Sequence, residues 1–295
     1  MRRANSTPLG RANGTRMTAR RIFFHARDGL RLAATDWPGP EGRTPILCLS
    51  GLTRSTADFV ALAERQAGTR RVVALDHAGH GDSGRPDDIS RYGIPQSLGD
   101  VLDAMAALHC PRAVIVGTSF GGLLAMMLGV LRPTAIAGAV LNDIGPRMEP
   151  AGLDNVQEFV GRDPALASLE ACVAHLKSVL PPLTHDEAGW LRFAANTYAP
   201  DDHGRFHPRW DIRIAEALRS NHAPELWEPF GALAHAPLML VRGEVSGLLS
   251  ADTAARMRRE RPDMGFVNVA ECGHCPSLEE AVVVPALDRF LDAIP

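Results

Sequence analysis

The stretch Val114-Ile115-Val116-Gly117-Thr118-Ser119-Phe120-Gly121-Gly122 constrains the chain most tightly. An apolar run reaches a glycine, one serine follows between glycine-rich flanks, and the apolar residues Leu123, Leu124, Met126, Met127, Leu128 and Leu131 then repeat at helical spacing. That order predicts a buried strand, a very sharp turn and a buried helix. Gly117 and Gly121 remove the side chains that would collide in so tight a turn. Ser119 is left at its tip, with the N–H groups of a helix N-terminus behind it.

The same alternation recurs on both sides. Arg21–His25 and Leu30–Trp37 flank Arg27-Asp28-Gly29, a hairpin signal. Strands are predicted over 46–49, 71–76, 136–142, 238–241 and 265–269. Helices are predicted over 57–67, 96–108, 251–261 and 278–291. Between Gly145 and His235 no strand pattern stands out, and helices are predicted over 153–160, 166–180, 187–197, 213–218 and 224–233. Strands alternating with helices make a mostly parallel, doubly wound α/β sheet covered on both faces. The helical block reads as an insertion over the carboxyl ends of the strands, where ligands bind in such sheets. The expected organisation is a core of residues 21–145 and 236–295, a helical cap over 146–235, and a disordered tail over 1–20. That tail holds five arginines and no acid, a composition shared with organelle transit peptides; initiation at Met17 is a further reading.

The totals narrow the partners. Among 295 residues, 31 Lys+Arg face 34 Asp+Glu, which asks for neither nucleic acid nor an anionic membrane. No apolar run approaches a membrane span. Five cysteines imply no disulfide framework, and a cytoplasmic location is the simplest expectation.

Four segments stand in one order: Ser50-Gly51-Leu52 after a strand, Asp76-His77-Ala78-Gly79-His80-Gly81 after the next, the turn Gly117–Gly121, and Gly273-His274-Cys275-Pro276 before the last helix. With these the chain resembles the α/β-hydrolase superfamily over residues 21–293, with a helical cap. The resemblance implies a serine nucleophile on an elbow between strand and helix, here Ser119, and a late histidine as its base, here His274. It also implies an oxyanion hole, here the N–H groups of Leu52 and Phe120. The acid departs from the pattern. Many relatives carry an aspartate in a loop that here reads Gly243-Glu244-Val245-Ser246-Gly247-Leu248, and its place is taken by Gly247. Asp143, at the end of the strand after the elbow helix, is the favoured replacement; Glu244 is second. Ser246 is a candidate accessory to Asp143 or His274.

The activity implied is hydrolysis of a carboxylic ester or lactone, a small-molecule substrate, through an acyl-enzyme on Ser119, without cofactor or metal. Carbon–carbon bond hydrolysis of a diketone-type substrate is the alternative, and perhydrolysis is open. A non-catalytic receptor on the same fold is the reading from a different class. Cys272-Gly273-His274-Cys275 matches a redox C-x-x-C, but its place before the last helix favours the hydrolase reading. His203 and His207, among Asp201, Asp202 and Asp211, read as a polar turn rather than a metal site. The aromatics Trp190, Phe193, Tyr198, Trp210, Trp227 and Phe230 are divided by pattern alone neither into core nor into pocket wall.

Overall fold

The computed structural model describes residues 18–219 and 225–295; most of the expected N-terminal tail lies outside the described residues. The first six strands are β1 (Arg20–His25), β2 (Arg31–Trp37), β3 (Ile46–Leu49), β4 (Val72–Asp76), β5 (Ala113–Thr118) and β6 (Ile136–Asn142). After them come a short ribbon of β7 (Tyr198–Pro200) and β8 (Phe206–Pro208), then β9 (Leu238–Gly243) and β10 (Gly265–Val269). Eight of these form one sheet in the order β1-β2-β4-β3-β5-β6-β9-β10. The hairpin β1–β2 and the pair β2–β4 are antiparallel; every pairing from β4 to β10 is parallel. The fold is α/β, with the sheet of an α/β-hydrolase.

Side chains of the central strands alternate between two cores, as a period of two requires. Leu47, Leu49, Val73, Leu75 and Ile115 enter one core; Ile46, Cys48, Val72, Ala74, Val114 and Val116 enter the other. Because both faces are covered, these strands are apolar throughout, each buried large aliphatic side chain contributing about 1.5–3 kcal/mol. The first face is covered by α2 (Ile94–Ala107) and α3 (Phe120–Leu131), and the second by α1 (Val60–Arg65) and α10 (Val283–Asp292). Between β6 and β9 lie α4 (Pro150–Val160), α5 (Leu169–Val179), α6 (Glu187–Thr197), α7 (Ile214–Arg219) and α8 (Trp227–Gly231), and α9 (Ala251–Glu260) follows β9. A third core holds Val160, Leu176, Trp190, Tyr198, Trp210 and Ile214, packed with Leu32 and Tyr92.

Three local differences from the sequence reading have physical causes. The ribbon β7–β8 was missing from it because each strand is three residues long and ends on a proline, too short for alternation to register. The expected polar turn closes this ribbon: Asp201 Oδ1 accepts the N–H groups of His203 and Arg205, both at 2.8 Å. The last helix begins at Val283 instead of Leu278, because Leu278 has φ 67° and Glu280 Oε1 caps Ser277 N–H at 2.7 Å. The first expected helix is split into a 3-10 turn, Thr56–Phe59, and the six-residue α1.

Candidate active site

The carboxyl ends of β3 and β5 and the loops after β9 and β10 converge on one cavity of about 920 Å³. Ser119 follows β5 at φ 49°, ψ −112°, a backbone conformation that costs of order 1–3 kcal/mol for a non-glycine residue. Its neighbours make that conformation possible. A Cβ on Gly117 would come within 2.5 Å of the Gly121 carbonyl, and one on Gly121 within 2.0 Å of the Leu49 carbonyl. Strand and helix therefore approach each other here with no room for a side chain.

Ser119 Oγ lies 2.9 Å from His274 Nε2, and His274 Nδ1 lies 2.8 Å from Asp143 Oδ2. The carboxylate accepts only, so Nδ1 carries the proton and Nε2 offers its lone pair to the serine hydroxyl. Asp143 is fully buried, follows β6 at φ 53°, and has every contact of its carboxylate accounted for. Gly243 N–H donates to Oδ1 at 2.9 Å; Ser246 Oγ–H donates to Oδ2 at 2.7 Å. Ser246 Oγ in turn accepts Leu248 N–H at 3.3 Å and Leu249 N–H at 3.1 Å, which fixes the direction in which its own proton points. Ser246 thus touches Asp143 and not His274. Glu244 is engaged elsewhere, its Oε2 accepting Glu271 N–H at 3.0 Å. An added Cβ on Gly247 meets nothing within 4 Å, so that place has room for a side chain.

The N–H groups of Leu52 and Phe120 donate to no protein acceptor among the described residues. Leu52 lines the cavity beside Ser119, and a Cβ on the preceding Gly51 would lie 3.4 Å from the Ser119 Cβ, so this loop passes directly over the serine. Two free donors on either side of a hydroxyl suit an anionic oxygen.

Behind Phe120 sits His77, buried, its Nε2 donating to the Ser50 carbonyl at 3.1 Å and its ring edge-on to Phe120 at 5.4 Å. Burial and the neighbouring His80 hold His77 neutral, pushed down to about 3. In the sequence His77 belongs only to the Asp76–Gly81 segment; the contact with the Ser50 carbonyl ties it to the loop over Ser119. Burial pushes the Cys272 thiol up to about 11 and Cys275 well above its ordinary value, so neither is a thiolate near neutral pH. His207 holds Asp163 at 2.8 Å and Asp201 at 3.3 Å, one carboxylate on each ring nitrogen, and its ionisation is raised chiefly by the Asp163 bond.

The far wall of the cavity comes from α4 and α6, through Asn155, Val156, Phe159, Phe193 and Asn196. Of the six aromatics singled out in the sequence, only Phe193 lines it. Trp190, Tyr198 and Trp210 are buried in the third core, and Trp227 and Phe230 pack with α3 in the first core. Arg54, unremarked in the sequence, lies against the Phe193 ring, 3.9 Å from its centre, and pairs with Asp58 at 2.5 Å.

The sequence pattern of the Alpha/beta hydrolase family matches residues 46–286. The chain belongs to this family. A crystal structure of an alpha/beta hydrolase from Novosphingobium aromaticivorans superposes with a TM-score of 0.89 at 36% identity, over 94% of this chain and 99% of that one. The chain is 28% identical to the 3-hydroxybutyrate-oligomer hydrolase of Cupriavidus necator, over 88% of this chain and 92% of the relative. It is 37% identical to the sn-1-specific diacylglycerol lipase ABHD11 of Mus musculus, over 78% and 74% of the two chains. As a member of the alpha/beta hydrolase family the chain is a hydrolase. Among the described residues no helix is long and apolar enough to cross a membrane.

Proposed function

We propose that this alpha/beta hydrolase cleaves a carboxylic ester or lactone through an acyl-enzyme on Ser119. The observation that carries the reading is the unbroken chain of contacts from Ser119 Oγ through His274 to Asp143, opening on a cavity. His274 Nε2 takes the hydroxyl proton as Ser119 Oγ attacks the carbonyl carbon. The oxyanion is held by the N–H groups of Leu52 and Phe120. The tetrahedral intermediate collapses, the bond to the leaving oxygen breaks, and His274 delivers the proton to that oxygen. Water then attacks the acyl-enzyme, again losing its proton to His274, and Ser119 is regenerated. The Asp143 carboxylate fixes the imidazole tautomer and stabilises the imidazolium, with Ser246 and Gly243 N–H holding its oxygens.

The relatives named as a 3-hydroxybutyrate-oligomer hydrolase and a diacylglycerol lipase favour an ester over a carbon–carbon bond. The residues from 146 to 235 act in this reading as a cap that selects the acyl group, and the reaction takes no metal or cofactor. The test is labelling with a fluorophosphonate, read by intact mass and by peptide mapping, beside a panel of p-nitrophenyl esters of increasing chain length and several lactones. One adduct per chain on Ser119, with turnover of an ester or lactone, is the expected result. No adduct and no turnover would favour a non-catalytic receptor. An adduct without ester or lactone turnover would favour the carbon–carbon alternative.

A further inference from the structure

We propose that Asn142 is a positioning residue that sets the distance between the catalytic histidine and its two partners. The inference rests on the assignment of Ser119, His274 and Asp143 to catalysis. Asn142 is the last residue of β6 and is buried, with 1% of its surface exposed. It touches all three catalytic segments. Its carbonyl accepts Ser119 N–H at 2.9 Å. Its side-chain Nδ2 donates to Thr118 Oγ1 at 3.2 Å and to the Pro276 carbonyl at 2.8 Å. The next residue in the chain is Asp143 itself.

The histidine loop needs such a tie. Asp143 follows β6 while His274 follows β10, and β9 lies between those strands. The loop must therefore reach over the end of β9 to bring its imidazole to the carboxylate. The main-chain groups of His274 and Cys275 make no hydrogen bond among the described residues. The loop is held on one flank by Gly273 N–H donating to the Pro182 carbonyl at 2.6 Å and by Val245 N–H donating to the Cys272 carbonyl at 2.9 Å, and on the other by Asn142. Of these ties, only Asn142 also belongs to the strand that carries the acid. A side chain with two N–H donors suits the place: Pro276 offers only an acceptor, which fixes the amide orientation. Among the described residues no protein donor reaches Asn142 Oδ1.

The experiment compares wild type with Asn142→Leu, which keeps similar bulk and removes both donors, and with Asn142→Ser, too short to reach Pro276. Val140→Ala on the same strand serves as a destabilised control. Two readouts are taken: kcat and KM on the best ester, and the proton resonance of His274 Nδ1 in its bond to Asp143. The expected result is a fall in kcat of about 10–100-fold, as a displacement near 1 Å produces, with KM unchanged. The Nδ1 resonance should move upfield or exchange-broaden in both Asn142 variants, while Val140→Ala keeps both its kcat and its resonance. Should Asn142→Leu fail to fold, Asn142→Ser carries the comparison. Unchanged kcat and resonance in the Asn142 variants would overturn the proposal, and so would an equal loss in Val140→Ala. If wild type hydrolyses nothing, the catalytic reading falls separately, and the resonance still decides whether Asn142 holds the histidine.

Discussion

The strand ends and the helices above them build opposite walls of one cavity by different means. On the sheet side, backbone does the placing. Ser119 and Asp143 sit at positive φ at the ends of adjacent strands, Gly117 and Gly121 remove side chains that would obstruct the turn, and the main-chain N–H of Gly243 meets the carboxylate. On the helical side, the wall is made of side chains such as Val156, Phe159 and Phe193, presented at helical spacing. Backbone placement leaves little room for substitution. Side-chain placement allows the wall to be rebuilt without disturbing the sheet. Reaction type and substrate choice are therefore expected to separate by region.

The strongest break in that comparison is Ser119→Ala. It should lower ester turnover by at least about 10³-fold and leave the melting temperature nearly unchanged, since only a hydroxyl at the cavity surface is lost. Retained turnover would remove the nucleophile assignment. On the opposite wall, Val156→Trp should raise KM for a long acyl ester by roughly 10-fold, through overpacking of the cavity, and leave kcat/KM for an acetyl ester intact. Loss of the acetyl activity as well would mean that the two walls are not separable.

Ser246→Ala removes one of the donors on Asp143 and leaves Gly243 N–H. A fall in kcat of about 3–10-fold is expected, equivalent to one modest hydrogen bond. A loss as large as that of Ser119→Ala would make Ser246 a direct participant. The remaining effect concerns stability instead of turnover, and it comes from the sheet side. The folded state holds His77 at about 3, below its value in the unfolded chain, so the unfolded state binds the extra proton. The stability it contributes is complete above about pH 6.5 and is lost as pH falls toward 3, amounting to about 2 kcal/mol by pH 5. His80 is shifted in the same direction by burial. Denaturant unfolding at pH 7 and pH 5 should show this loss; equal stability at both would contradict a buried neutral His77.

The sheet side was also the more legible in the sequence. An apolar run ending in Gly117 and resuming as an apolar helix leaves few alternatives for the backbone, so the strand, the turn and the helix could be located. Asp143 was legible because it ends the strand that neighbours the elbow strand and because Gly247 carries no carboxylate. Asn142, one residue earlier, was not: its role depends on where the Pro276 carbonyl comes to rest, and that is a contact 134 residues away in the chain. The helical side was legible as helices and little more. Its aromatics all fit an apolar face, and only the packing separates Phe193, on the cavity, from Trp190 and Tyr198, in the core beneath. Arg54 was not legible because the contacts that hold it across the cavity, Phe193 and Thr197, are on α6, the latter 143 residues away in the chain.

The central claim is that the acid has moved from the usual loop to the end of β6, and paired kinetics on Asp143→Asn and Asp143→Asn/Gly247→Asp test it most directly. The first variant keeps the shape of the side chain and takes away its charge, so kcat should fall by about 10²–10⁴-fold through a wrong histidine tautomer and an unstabilised imidazolium. The second returns a carboxylate to a position with space for it and should recover part of that loss. Near-full activity in Asp143→Asn, with loss of activity in Glu244→Gln, would place the acid in the loop after β9 and contradict the account.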